Sequence, residues 1–132
     1  MTVVSRHIRH SFSLNGVPVS SQGSKESRRR YKESVAHEAA KNILSPIDDK
    51  DNVKIEIDWF TQGFANKPDT DNIAKPIIDA LKGIVFTDDR QVESHIVRKH
   101  DTLGVISFQR EPLSIVEPLL NGNNDYVFIR IY

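Results

Sequence analysis

Cysteine is absent from the 132 residues, so neither a disulfide framework nor a thiolate metal site can form. No stretch approaches the ~18 consecutive apolar residues of a membrane span. The N-terminus, MTVVSRHIRH, has no long apolar core of the secretory type. These absences fit a reducing compartment, and a cytoplasmic protein with no membrane partner is the expectation. There is no G-x-G-x-x-G and no Walker A loop. The histidines form no metal pair. His95 and His100 lie five apart on an expected strand and so point to opposite faces; His7 and His10 share the problem, and His37 has no second His one turn on. Ser20, Ser21 and Ser24 have no setting for a nucleophile. Internal repeats and low-complexity linkers are also missing. One domain spanning residues 1–132 is the simplest expectation. The apolar fraction of 38% supports one core, which at this size buries roughly two-thirds of the unfolded surface.

Net charge is zero, with 18 basic and 18 acidic residues, but the charges are unevenly placed. Residues 1–32 carry seven basic side chains, including Arg28, Arg29, Arg30 and Lys32, against the single acid Glu26. A basic first quarter joined to an acidic remainder suits a protein that grips phosphates with one surface and holds a cation with another. A solvated basic helix start accounts for the charge equally well.

Periodicity gives the order β-α-β-α-β-β-β. His7–Leu14 alternates as a strand, Asn15-Gly16 begins a turn, and residues 20–24 form a loop. Lys25–Leu44 is a helical pattern, with Tyr31, Val35, Ala39 and Ile43 recurring every four residues, Ser27 as N-cap and Pro46 as stop. Val53–Thr61 alternates as a half-buried strand: Val53, Ile55, Ile57 and Trp59 face one way, Lys54, Glu56 and Asp58 the other. Asn72–Lys82 is a second helix closed by Gly83; Pro76 requires a start near Ile73 or a kink in the first turn. Val92–His100, Gly104–Gln109 and Tyr126–Tyr132 read as strands, with Asn121–Asn124 as a turn. Four to five strands and two main helices imply a mixed sheet, α/β in class, with α+β as the near alternative.

The chemistry lies between residues 66 and 92. Two carboxylate pairs, Asp69/Asp71 and Asp88/Asp89, flank the helical segment that carries Lys75 and Asp79. Two charges about 4 Å apart repel by on the order of 4 kcal/mol at an effective dielectric near 20. A fold that brings such pairs together needs a cation, and oxygen-only ligands select a hard ion, Mg²⁺ or Mn²⁺. Helix capping explains one Asp at a helix start. For Asp-Thr-Asp-Asn followed by a second pair 17 residues later, metal binding is favoured over capping. Asp71, Lys75 and Asp79 share one helix face at i, i+4 and i+8. Lys75 is either an ion-pair partner or a cation placed beside a metal and a phosphate. Asp79, next to Ala80 and Leu81, reads as structural.

The run KPDTDNIAKPIIDALKGIVFTDDRQV resembles the RusA-type Holliday-junction resolvases. Their pattern is approximately D-x-D-N-x-x-K-x-x-x-D-A-L, a short apolar piece, then D-D-x-Q-V. Asp69, Asp71, Asn72, Lys75, Asp79, Ala80, Leu81, Asp88, Asp89, Gln91 and Val92 match it in identity and spacing. The resemblance implies a small homodimeric endonuclease of DNA recombination and repair that cuts four-way junctions by paired symmetric nicks with Mg²⁺ or Mn²⁺. It assigns Asp69, Asp71 and Asp89 as catalytic metal ligands and Lys75 as the catalytic lysine. Basic residues precede the first aspartate in many members; here Lys67 fills that place. Arg28, Arg29, Arg30, Lys32 and Lys67 are the expected DNA contacts. A flap or other branched-DNA nuclease on the same scaffold, or a non-catalytic branched-DNA binder, is the alternative.

Overall fold

The computed structural model describes residues 7–41, 43–102 and 125–132. The element order is β1 (His10–Asn15), α1 (Lys25–Ala40), β2 (Val53–Thr61), α2 (Thr70–Leu81), β3 (Val92–Asp101) and β4 (Tyr126–Ile131). A single 3-10 turn, Asp89–Gln91, leads into β3. The four strands form a mixed sheet in the order β1-β4-β2-β3. β4 is antiparallel to both neighbours, whereas β2 and β3 are parallel, with Ile55 opposite His95 and Trp59 opposite Lys99. The expected strand at Gly104–Gln109 and the turn at Asn121–Asn124 lie outside the described residues. Among the described residues no helix is long and apolar enough to cross a membrane.

The core forms where the helices meet one face of the sheet. Val53, Ile55, Ile57 and Trp59 of β2 join Ile129 and Ile131 of β4, Val35 and Ala39 of α1, and Ile73, Ile77 and Leu81 of α2. Each fully buried Ile or Leu contributes about 1.5–3 kcal/mol from lost apolar exposure. The helices run side by side in the same direction. Ser21, just before α1, bonds Asn72 in the first turn of α2, and Lys32 further along α1 reaches Asp79 further along α2.

Several boundaries differ from the sequence reading. Ser24, not Ser27, caps α1: its backbone is extended and its hydroxyl accepts from the Ser27 N–H at 3.1 Å. That helix ends at Ala40 rather than Leu44, and Leu44 is fully exposed, so Pro46 is not the terminator. α2 begins at Thr70, which puts Pro76 in its interior. Proline there leaves the Asn72 carbonyl without its intrahelical donor. The Ser21 N–H fills that vacancy at 2.7 Å, and the Ser21 hydroxyl donates to Asn72 Oδ1 at 3.2 Å. A loop from the other helix thus satisfies the break.

β2 is buried on both faces rather than half-buried. Glu56 and Asp58 are 5% and 3% exposed. Their charges are compensated from the neighbouring strands. Arg98 Nη1 lies 3.3 Å from both carboxylates, Arg130 Nη1 lies 3.4 Å from Glu56, and His100 Nε2 lies 2.8 Å from Asp58. The His100 ring stacks on Phe60 with centroids 4.6 Å apart. Burial raises the Asp58 pKa, but the His100 hydrogen bond and the Arg98 charge together carry it below its usual value.

Candidate active site

α2 positions the first acids. Asp69 occupies its N-cap, extended in backbone, yet its side chain makes no capping hydrogen bond. The helix start is closed instead by the backbone contact from the Asn72 N–H to the Asp69 carbonyl, at 3.0 Å. Neither Asp69 nor Asp71 has a side-chain hydrogen bond or ion pair among the described residues. Both are exposed. Simple helix capping therefore does not use the Asp69 carboxylate.

The second pair divides its labour. Asp88 caps the 3-10 turn, accepting from the Arg90 N–H at 3.0 Å, and this backbone bond holds its carboxyl below the usual range. Asp89 projects outward, with a 62% exposed side chain and the Lys82 ammonium 3.6 Å away. Gln91 anchors the turn. Its Oε1 accepts from the Thr87 and Asp88 N–H groups at 2.8 and 3.0 Å; its Nε2 donates to the Asp48 and Asp51 carbonyls at 2.8 and 3.0 Å. Gln91 is 1% exposed, so these bonds form away from water, where an unmade one is costly. The glutamine of the D-D-x-Q-V motif is thus the pin that fixes Asp89.

Asp71, Lys75, Asp79 and Asp89 line one open cleft of about 410 Å³, closed by Ala74 and Ile78 of α2 and by Val92 and His95 of β3. Asp69 is not part of its lining. Among the described residues no group of three or more His, Asp or Glu stands close enough to hold a metal ion. The described residues therefore present carboxylates to the cleft without gathering three onto one point. A larger open cleft of about 780 Å³ between β1 and α1 carries Arg30, Glu33, His37 and Glu38 but none of the motif acids.

The basic residues separate into three groups. Arg29 and Arg30 are exposed and held by Glu26, and Arg29 also by Glu33, at 2.6–2.9 Å. These contacts push the Glu26 carboxyl down and the Arg29 guanidinium up. Arg28 is half-buried, and its Nε has no partner among the described residues. Lys32 turns toward α2 and reaches Asp79 Oδ2 at 3.7 Å, the same oxygen that Lys75 reaches at 3.7 Å. Lys67 is committed to its own loop. Its ammonium donates to the Thr61 hydroxyl, to the Gln62 carbonyl at 2.7 Å and to the Gly63 carbonyl at 2.9 Å. An ammonium has three donors, so Lys67 holds the segment leading to Asp69 rather than offering a free contact to DNA.

Sequence reasoning missed four features of this region: Lys82 beside Asp89, Lys32 beside Asp79, His95 on the cleft wall and the clasp between Ser21 and Asn72. None of the four left a sequence signal: even His95 is placed by the parallel register that pairs it with Ile55, on the helix-bearing side of the sheet.

The sequence model of the family described as Endodeoxyribonuclease RusA matches residues 19–106. That span contains α1, β2, α2 and β3 and every residue named for the cleft. A search of curated proteins finds no match.

Proposed function

The chain belongs to the RusA endodeoxyribonuclease family, and from that premise we propose that it cuts four-way DNA junctions by Mg²⁺-dependent hydrolysis at the α2–β3 cleft. Family membership makes it a Holliday-junction endonuclease. The ion, the residue roles, paired symmetric nicking by a homodimer, and a part in recombination and repair in the cytoplasm are our reading. The observation that carries it is the convergence of Asp71, Lys75, Asp79 and Asp89 on one cleft.

The donor set suits a hard divalent ion. Asp71 and Asp89 offer exposed carboxylate oxygens, and Asp69 stands two residues before Asp71 with its carboxylate unbonded. Mg²⁺ commonly takes only one or two protein carboxylates and completes its shell with waters and substrate phosphate. A site that gathers fewer than three acids in advance among the described residues is compatible with that habit. Bound there, the ion supplies charge neutralisation at the phosphate and a water of lowered pKa.

The chain's own residues do the rest. Asp71, on α2, and Asp89, before β3, would hold the ion between them. Gln91 and Asp88 keep Asp89 in place. Lys75, 74% exposed and one turn beyond Asp71, offsets negative charge as it develops on the phosphate. Arg29 and Arg30 add sequence-independent phosphate contacts once DNA displaces their glutamates. A two-fold dimer presents two such clefts to a junction of matching symmetry.

Four-way junction, flap and linear duplex, each incubated with Mg²⁺, with Mn²⁺ and with EDTA, test the reading. Cleavage of the four-way junction that needs metal and yields paired nicks is expected. Preferential cutting of flaps would replace the junction with another branched substrate. Binding without cutting in either metal would overturn the catalytic reading.

A further inference from the structure

One carboxylate oxygen beside the cleft is shared by two lysines from different helices. Asp79 Oδ2 lies 3.7 Å from Lys75 of α2 and 3.7 Å from Lys32 of α1. Asp79 is one-third exposed, and the Lys75 and Lys32 side chains are 74% and 40% exposed. One carboxylate neutralises one ammonium, so the trio retains a net positive charge. Both contacts sit near the outer limit of an ion pair, and each ammonium keeps donors free for another anion. The pairing at i and i+4 on α2 already satisfies Asp79 as an ordinary surface helix contact. The second lysine is the part that a structural ion pair does not require. It arrives from the side of α1 that carries Val35 into the core, so helix packing fixes its position. Lys75 and Asp79 line the cleft together with Asp71 and Asp89, and Lys32 adjoins it through its contact with Asp79.

We propose that Lys32 is a further phosphate-binding residue of the cleavage site. Asp79 is its positioning residue, setting Lys32 and Lys75 side by side so that they engage neighbouring phosphates of one DNA strand. The proposal rests on the endonuclease reading above. Lys75 serves the phosphate being cut. Lys32 holds the strand beside it, and Asp79 stops the two ammonium groups from driving each other apart. The basic residues of α1 then have two tasks: Arg29 and Arg30 attract DNA in general, while Lys32 registers the strand in the cleft.

The test uses the full chain and a four-way junction. Affinity is measured in Ca²⁺, and single-turnover cutting in Mg²⁺ at saturating protein. Lys32→Gln is expected to slow saturated cutting about tenfold or more while affinity changes less than about threefold, because losing alignment affects the reacting geometry more than overall attraction. Lys32→Arg recovers most of the rate. Lys41→Gln, at the end of the same helix, removes equal charge and changes neither quantity. Asp79→Asn slows saturated cutting and does not rescue Lys32→Gln. Melting temperatures stay within a few degrees of wild type. Wild-type saturated cutting by Lys32→Gln would overturn the proposal, as would restored cutting in the Lys32→Gln/Asp79→Asn double variant, which would reduce Lys32 to a counter-ion for Asp79. A wild-type protein that cuts no branched DNA would instead overturn the endonuclease reading on which this one stands.

Discussion

Asp58→Asn probes the charge network on the sheet face opposite the helices. The carboxylate is 3% exposed and meets His100 at 2.8 Å, Arg98 at 3.3 Å and Arg130 at 3.8 Å. Removing one member of a buried ion pair costs about 3–5 kcal/mol, because the partner charge is left uncompensated. Two features reduce that figure. Arg98 is 42% exposed and keeps solvent, and both arginines retain Glu56. A loss of about 2–4 kcal/mol follows, which for a chain of this size lowers the melting temperature by roughly 10 °C. Acid provides the second arm. The folded Asp58 carboxyl titrates below its ordinary value. Its contribution is therefore fully present above the unfolded pKa, near 4, and is lost as pH falls through the lower folded value. Urea unfolding from pH 7 to pH 2.5 compares the two proteins. The difference should be constant above about pH 5 and narrow below pH 4. A loss under about 0.5 kcal/mol at pH 7, the range of an ordinary surface change, would refute the reasoning, as would parallel acid limbs.

Further outcomes follow from the cleft. Asp71→Asn and Asp89→Asn should each reduce cutting by at least about tenfold to a hundredfold while sparing junction binding in Ca²⁺; a near-normal rate in either removes that residue from the site. Asp88→Ala should slow cutting less than Asp89→Asn does and destabilise the fold by about 1 kcal/mol, since it removes the turn's cap rather than a ligand; thermal melting beside single-turnover rates separates the two. Gln91→Leu should destabilise by about 2–5 kcal/mol, because the Asp48 and Asp51 carbonyls and the turn N–H groups lose buried partners; a neutral urea midpoint would contradict its role as the pin. Three acids are not gathered in advance among the described residues, so millimolar Mg²⁺ alone should move the melting temperature by less than about 3 °C, whereas Ca²⁺ should tighten junction binding. A large shift with Mg²⁺ alone would indicate a preformed centre.

The sequence by itself determined the strand β2, whose alternation is regular enough to bound it at Val53 and Thr61. It also determined the family. The motif acids, Lys75 and Gln91 are specified by identity and spacing, which need no coordinates. It determined the stripe of α1 as well, because Val35 and Ala39 recur at helical spacing and both are buried. Tertiary structure decided the rest, for a consistent reason: these outcomes depend on partners distant in the chain. Pro76 pointed to a start near Ile73 or a kink in the first turn, yet α2 begins at Thr70, and Ser21, 51 residues away, supplies the donor that Pro76 cannot give the Asn72 carbonyl. Glu56 and Asp58 looked solvated by their alternation, yet they are buried because Arg98 and Arg130 approach from β3 and β4. The basic run from Arg28 to Lys32 reads as one cluster, yet helical rotation gives Arg29 and Arg30 to nearby glutamates and turns Lys32 toward Asp79. Residue type and spacing fix which chemistry a chain carries. Which side chain meets which, across tens of residues, is set only when packing closes the core and forces each buried charge to find its partner.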